Sequence, residues 1–80
     1  MNLETLKSRF TLKTAREMKK LTQEEAAKII GISTDTLGNY ERGKSYPDVP
    51  ILRKIEAAYG VGYSQLIFLP LDYDKTVNKL

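Results

Sequence analysis

Between Gln23 and Ser45 the chain gathers side chains suited to recognising a polyanion rather than to making or breaking covalent bonds. Asn39 carries an amide that can bond bidentately to adenine, and the methyls of Thr34 and Thr36 can meet a thymine methyl. Arg42 and Lys44 bring cations that neutralise phosphate, and each phosphate so paired adds about −0.9 to the slope of log affinity against log salt. No catalytic constellation competes with this chemistry. The sequence has no Cys and no His, which removes thiolate and imidazole metal sites and every mechanism built on a Cys nucleophile or a His base. The carboxylates Glu24, Glu25, Asp35 and Glu41 are accounted for by helix caps, dipoles and ion pairing, which leaves no nucleophile–base set. The expectation is a protein that is not an enzyme and takes neither metal nor cofactor.

At 80 residues there is room for one small domain, and such a chain buries only about 60% of the surface it exposes when unfolded. Its stability is therefore expected to be marginal alone. Lys+Arg 13 against Asp+Glu 10 leaves a net charge of +3, a mild excess that is compatible with a polyanionic partner. The apolar runs stop well short of the roughly 20 residues a membrane span needs. The opening Met1-Asn2-Leu3-Glu4-Thr5 has acid early and no apolar core, unlike a secretory signal. A soluble, cytoplasmic chain with no membrane partner is expected.

The elements that must position these side chains are marked by caps and glycines. Residues 1–10 are ambiguous: Leu3, Leu6 and Phe10 fit a helical stripe, whereas Arg9-Phe10-Thr11-Leu12 alternates like a strand. From Thr11 to Lys20 the pattern predicts a helix with Leu12, Ala15, Arg16 and Met18 inward. Thr22 with Glu25 three residues later is a capping box; Ala26, Ala27 and Ile30 form the stripe that follows, and Gly31 ends it. Ser33 is an N-cap residue for a third helix through about Arg42, with Leu37 and Tyr40 inward. Gly43 closes that helix, and Lys44-Ser45-Tyr46-Pro47 reads as a loop. Asp48 with Pro50 starts a fourth helix bearing Leu52, Ile55 and Tyr59, stopped by Gly60. A short fifth helix is expected at about 62–67. The tail Leu66-Ile67-Phe68-Leu69-Pro70-Leu71 is too apolar for a free end; it buries under the domain, as a strand against Phe10-Leu12, or in a partner subunit.

Two helices joined at Gly31, with small Ala27 at the crossing and Ile30, Ile32, Leu37 and Tyr40 setting the angle, have the layout of a helix-turn-helix. The second helix of such a unit lies in the DNA major groove with its leading residues at base edges. The run LTQEEAAKIIGISTDTLGNYERGKSYPD resembles the Cro/repressor-type (XRE-like) helix-turn-helix family of phages and mobile elements. Leu21-Thr22-Gln23, the Ala26-Ala27 pair, Gly31-Ile32-Ser33, Tyr40-Glu41-Arg42-Gly43-Lys44, Pro47 and Gly60-Val61 carry the resemblance, which covers roughly Leu12 to Ile67.

The resemblance implies an all-α, compact, five-helix lambda-repressor-like domain at 11–67, flanked by an N-terminal extension at 1–10 and a tail at 68–80, with a small strand pairing between the ends as an option. It implies that Gln23 binds a backbone phosphate and braces the recognition helix, and that Ser33, Thr34, Asp35, Thr36 and Asn39 face the groove. It further implies that Arg42, Lys44 and Ser45 grip phosphate and that Arg16 and Glu41 form an internal ion pair. Asp35 departs from the family's habit: it either accepts from cytosine N4 or favours the helix dipole. Gly38 either allows close approach to DNA or is a tolerated exposed glycine. Lys7, Arg9, Lys13, Lys19 and Lys20 read first as solvated helix faces. Tyr40, Tyr46, Tyr59, Tyr63 and Tyr73 are too scattered for base-stacking platforms and read as core or interface aromatics.

The function so implied is sequence-specific binding of double-stranded operator DNA by a transcriptional regulator, a repressor or Cro-like switch, acting as a homodimer on a palindromic site. The alternative keeps the fold and changes the job: an antitoxin, or a restriction-modification controller, using a protein partner through the apolar C-terminal tail.

Overall fold

The computed structural model describes residues 8–69. Residues 3, 6 and 7, Pro70, Leu71 and Tyr73, all singled out above, lie outside them.

The chain enters through a two-residue strand, β1 (Phe10–Thr11), and passes directly into helix α1 (Leu12–Met18). Thr11 is the hinge between them: its Oγ1 accepts the Thr14 N–H at 3.2 Å, satisfying one of the free amides of the first helical turn. The predicted helix over 11–20 is thus shorter at both ends, closing where Lys20 turns into the left-handed region at φ 58°. Met18, expected inward, is 56% exposed. At about 100° per residue it sits some 120° around the helix from Leu12, outside the stripe that Leu12, Ala15 and Arg16 bury.

Helix α2 (Gln23–Ile30) opens on the capping box in full, with Thr22 Oγ1 accepting the Glu25 N–H at 3.1 Å and Glu25 Oε1 accepting the Thr22 N–H at 2.8 Å. These bonds to the carboxylate hold Glu25 below the usual glutamate range. Gly31 ends α2 at φ 90°, a left-handed geometry that side chains with a Cβ resist, and so reverses the chain into helix α3 (Thr34–Arg42). Asp48 caps helix α4 (Val49–Tyr59) by accepting the Ile51 N–H at 3.0 Å, with Pro50 in the first turn where its missing amide loses nothing.

Among the described residues there are four α-helices rather than the five expected. The segment predicted as the fifth is a single 3-10 turn, Tyr63–Gln65, followed by strand β2 (Leu66–Ile67). Gln65 Oε1 folds back to accept the Gly62 N–H at 3.0 Å, and the next two residues are drawn out of the turn by pairing with β1. The pairing is parallel, Phe10 opposite Leu66 and Thr11 opposite Ile67. Of the burial routes open to the apolar tail, its first two residues take the strand beside Phe10, which buries Leu66 and leaves Ile67 41% exposed.

Leu66 thereby joins a core made of Leu12 and Ala15 from α1, Ala26, Ala27 and Ile30 from α2, Leu37 from α3, and Ile55 and Tyr59 from α4. Phe10, Leu21, Ile32, Tyr40, Leu52 and Phe68 pack around its margin. No helix of the described residues is long and apolar enough to cross a membrane.

Tyr59 is 1% exposed, and its hydroxyl has no protein hydrogen-bond partner among the described residues. Burial first, and then the charge of Glu41, push its pKa up to about 12. The folded state keeps its phenol proton between pH 10 and 12 while the unfolded chain releases it near pH 10. Protons are then more numerous on the folded side, so stability falls as pH rises through this window, by roughly 2 kcal/mol at its upper end. Tyr59→Phe is expected to leave stability at pH 7 within about 1 kcal/mol and to flatten this alkaline decline. Urea unfolding at pH 7 and pH 11 measures both, and an unchanged alkaline slope would contradict it.

Candidate nucleic-acid interface

The candidate interface is built on α3, and its first requirement is that α3 be held firmly against α2. Leu37 is fully buried between them, and Gly31 and Ile32 both return amides to the Ala27 carbonyl, at 2.8 and 3.0 Å. This doubly used carbonyl tightens the turn that sets the angle between the two helices.

The far end of α3 is fixed by charge. Arg16 of α1 and Glu41 of α3 meet: Arg16 Nε donates to Glu41 Oε2 at 2.7 Å and Nη2 donates to Oε1 at 3.2 Å. A third guanidinium donor, Nη1, reaches the Leu21 carbonyl at 2.8 Å. The Arg16 and Glu41 side chains are only 9% and 4% exposed, so the fork-on-fork geometry works with little solvent screening. The hydrogen bonds to Glu41 raise the Arg16 pKa against the opposing effect of burial. Gln23 completes the cluster, its Nε2 donating to Glu41 Oε1 at 3.0 Å. The side chain assigned to phosphate by resemblance is therefore turned in toward the helix junction here, with its carbonyl oxygen outside this bond.

The groove-facing candidates divide into two groups. At the leading end, Ser33 Oγ accepts the Thr36 N–H at 3.0 Å and donates to Thr36 Oγ1 at 2.8 Å. These two hydroxyls cap the helix and engage each other, while Thr34 is half-buried beside them and Asp35 is exposed in the first turn. Helical periodicity places Asp35, Asn39 and Arg42 on the side opposite Leu37. Asn39 Oδ1 accepts from Arg42 Nη2 at 2.8 Å. Gly38 is buried rather than exposed, covered by the Arg42 side chain; the tolerated-exposed reading of this glycine is thereby set aside. The Asn39–Arg42 contact went unread in the sequence, although its i, i+3 spacing on one helix was a sufficient signal.

Beyond the helix, the Gly43 amide returns to the Tyr40 carbonyl at 3.2 Å and the Lys44 amide to the Asn39 carbonyl at 2.9 Å. This closure projects Lys44 into solvent with Ser45 half-buried next to it. Of the other cations, Lys13, Lys19 and Lys20 are all exposed, and Lys19 lies over Gly60, where a Cβ would stand 3.1 Å from its Nζ. The loop then runs into an open apolar groove of about 520 Å³ lined by Tyr46, Pro47, Val49, Leu52, Tyr63 and Phe68. Tyr46 meets Phe68 edge-on at 6.2 Å between ring centroids, Tyr63 lies 6.1 Å from the same ring, and Tyr46 Oη donates to the Leu69 carbonyl at 2.6 Å. No group of three or more metal-ligating side chains occurs among the described residues.

A family model described as helix-turn-helix matches residues 12–66. The HTH-type transcriptional regulator ImmR of Bacillus subtilis is 39% identical over 56 residues, covering 70% of this chain and 44% of that protein. Multiprotein-bridging factor 1a of Arabidopsis thaliana is 46% identical over 46 residues, 58% of this chain and 32% of its own length. Multiprotein-bridging factor 1 of Candida albicans is 38% identical over 50 residues, 62% of this chain and 33% of its own. The chain spans 32% to 44% of the length of these curated relatives.

Proposed function

Because this chain belongs to the XRE-type helix-turn-helix family, we propose that it is a sequence-specific double-stranded DNA-binding protein that regulates transcription, with α3 seated in the major groove. One observation carries the reading: α3 is locked from behind by Leu37 and by the buried Arg16–Glu41 pair, and turns Asp35, Asn39 and Arg42 outward. A rigid helix with a polar outer face is what base readout requires, since a side chain must reach a fixed base edge without ordering the backbone first. Kinship with a protein named as a transcriptional regulator supports the regulatory role.

In this reading Asn39, Ser33, Thr34, Asp35 and Thr36 address bases, Arg42, Lys44 and Ser45 address the backbone, and Gln23 reaches it with the second N–H of the Nε2 that donates to Glu41. One such module makes few base contacts, and two on a palindromic site multiply its discrimination. Repression by occupancy of an operator, as a homodimer, is the mode that needs no further activity. No catalytic step is involved.

Selection of bound DNA from a random pool tests the proposal, reporting sequence preference, palindromy and half-site spacing together. Asn39→Ala is expected to cost about 1–3 kcal/mol on the selected site and to relax preference at one base pair. Lys44→Ala is expected to weaken binding to all sequences evenly and to flatten the salt slope by about one unit. Failure to bind any duplex at low ionic strength would end this reading.

A further inference from the structure

Arg42 is the last residue of α3, and a helical side chain leans toward the N-terminus of its helix. It therefore covers the positions three and four residues earlier, Asn39 and Gly38. At Gly38 no Cβ intervenes: one built there would lie 3.1 Å from Arg42 Nη1 and 3.8 Å from both Cζ and Nη2. The guanidinium rests on the bare backbone at this point, and from there Nη2 donates to Asn39 Oδ1 at 2.8 Å. Which end of the Asn39 amide faces Arg42 follows from chemistry, because a guanidinium has donors only and cannot pair with the NH2 group.

This arrangement changes what Asn39 offers to a base. Adenine in the major groove presents N7 as acceptor and N6–H2 as donor, so an asparagine reads it only with both its NH2 and its carbonyl oxygen. Here one lone pair of the Asn39 carbonyl oxygen is taken by Arg42, and the donors left over are the Asn39 NH2 and the remaining guanidinium N–H groups. Between them these two side chains offer more donors than acceptors, with the second lone pair of Asn39 Oδ1 as their remaining acceptor and the Asp35 carboxylate standing one turn away on the same face. Guanine is the base whose major-groove edge holds acceptors alone, at N7 and O6.

We propose that Gly38 is a specificity-determining position: lacking a Cβ, it lets Arg42 lie back and engage the Asn39 carbonyl, so that the two side chains act as one donor-rich reader that selects guanine over adenine. The proposal rests on the preceding reading that the outer face of α3 meets base edges. Arg42 is then more than a phosphate cation, and Gly38 acts only by positioning it.

Selection from a random duplex pool with the full chain and three variants tests this. The parent is expected to enrich guanine at one position of each half-site by about tenfold over adenine, within the lower half of what one good bidentate contact discriminates. Arg42→Met removes the donors but keeps the length, freeing the Asn39 oxygen; the preference at that position is expected to pass to adenine. Gly38→Ala crowds the guanidinium by a few tenths of an ångström without disturbing the helix, which alanine favours, and is expected to shift the same position in the same direction by a smaller factor. Asn39→Ala abolishes the preference there. If Arg42→Met instead lowers affinity for every sequence alike and leaves the guanine preference intact, Arg42 is a phosphate contact and the proposal is overturned. An adenine preference in the parent at the position that Asn39→Ala relaxes overturns it as well. Either result leaves DNA recognition by α3 standing, whereas an Asn39→Ala variant that selects the parental site unchanged removes Asn39 from the interface altogether.

Discussion

Replacing Glu41 with alanine is expected to cost about 3–5 kcal/mol of folding stability, the usual consequence of leaving one member of a buried ion pair behind. The reason lies in what Glu41 does for its neighbours. Its two oxygens accept from Arg16 Nε, Arg16 Nη2 and Gln23 Nε2, at 2.7, 3.2 and 3.0 Å. Without them the guanidinium keeps only its bond to the Leu21 carbonyl and stays largely out of water with its charge unanswered. Glu41→Gln retains an acceptor but not the charge, and should fall between. The larger loss reaches the low end of the stability of an ordinary domain, about 5–15 kcal/mol, where a chain this small is expected to sit. Equilibrium urea denaturation of the three proteins decides the matter, and a loss below 1 kcal/mol for the alanine variant would mean that solvent screens the pair. Such a result would also weaken the claim that α3 is rigidly braced.

Leu37→Ala carries the second large effect, about 2–5 kcal/mol, through lost apolar burial and the cavity left behind. Leu37 is fully buried on the inner side of α3 and holds it against the core of Ala26, Ala27, Ile30 and Ile55. In a domain of this size the change lowers the melting temperature by roughly 10 °C or more. Its consequence for DNA differs from that of Asn39→Ala: the inner face touches no base, so the folded fraction should retain the parental base preference while total affinity drops. Calorimetry together with selection at a temperature where the variant is folded separates the two. A changed base preference would show that α3 had rotated instead of loosened.

These two residues sit one turn apart on the same face, which explains how much of the molecule could be read in advance. Helix starts at Thr11, Thr22, Ser33 and Asp48 and the stop at Gly31 are decided within four residues of chain, by a side-chain oxygen meeting a nearby amide or by a left-handed φ. Such contacts are local, so their signals sit side by side in the sequence. The buried stripe of α2 was legible for a related reason, since helical period converts spacing directly into a face. Met18 shows the limit, because the width of a buried stripe depends on which neighbour covers the last turn.

What the sequence alone determined, then, is the order of the helices, their caps, the helix-turn-helix layout and the stock of polar residues on α3. Tertiary structure decided which partner each of those polar groups takes. Residues 62–67 became a 3-10 turn and a strand because Phe10–Thr11, from the other end of the domain, supplied a backbone edge to pair with. The Gln23 amide turned toward Glu41 because packing brought the start of α2 beside the end of α3. Hydrogen-bonding groups satisfy whichever complementary group folding places within about 3 Å, and that proximity is a property of the packed chain rather than of its residue order.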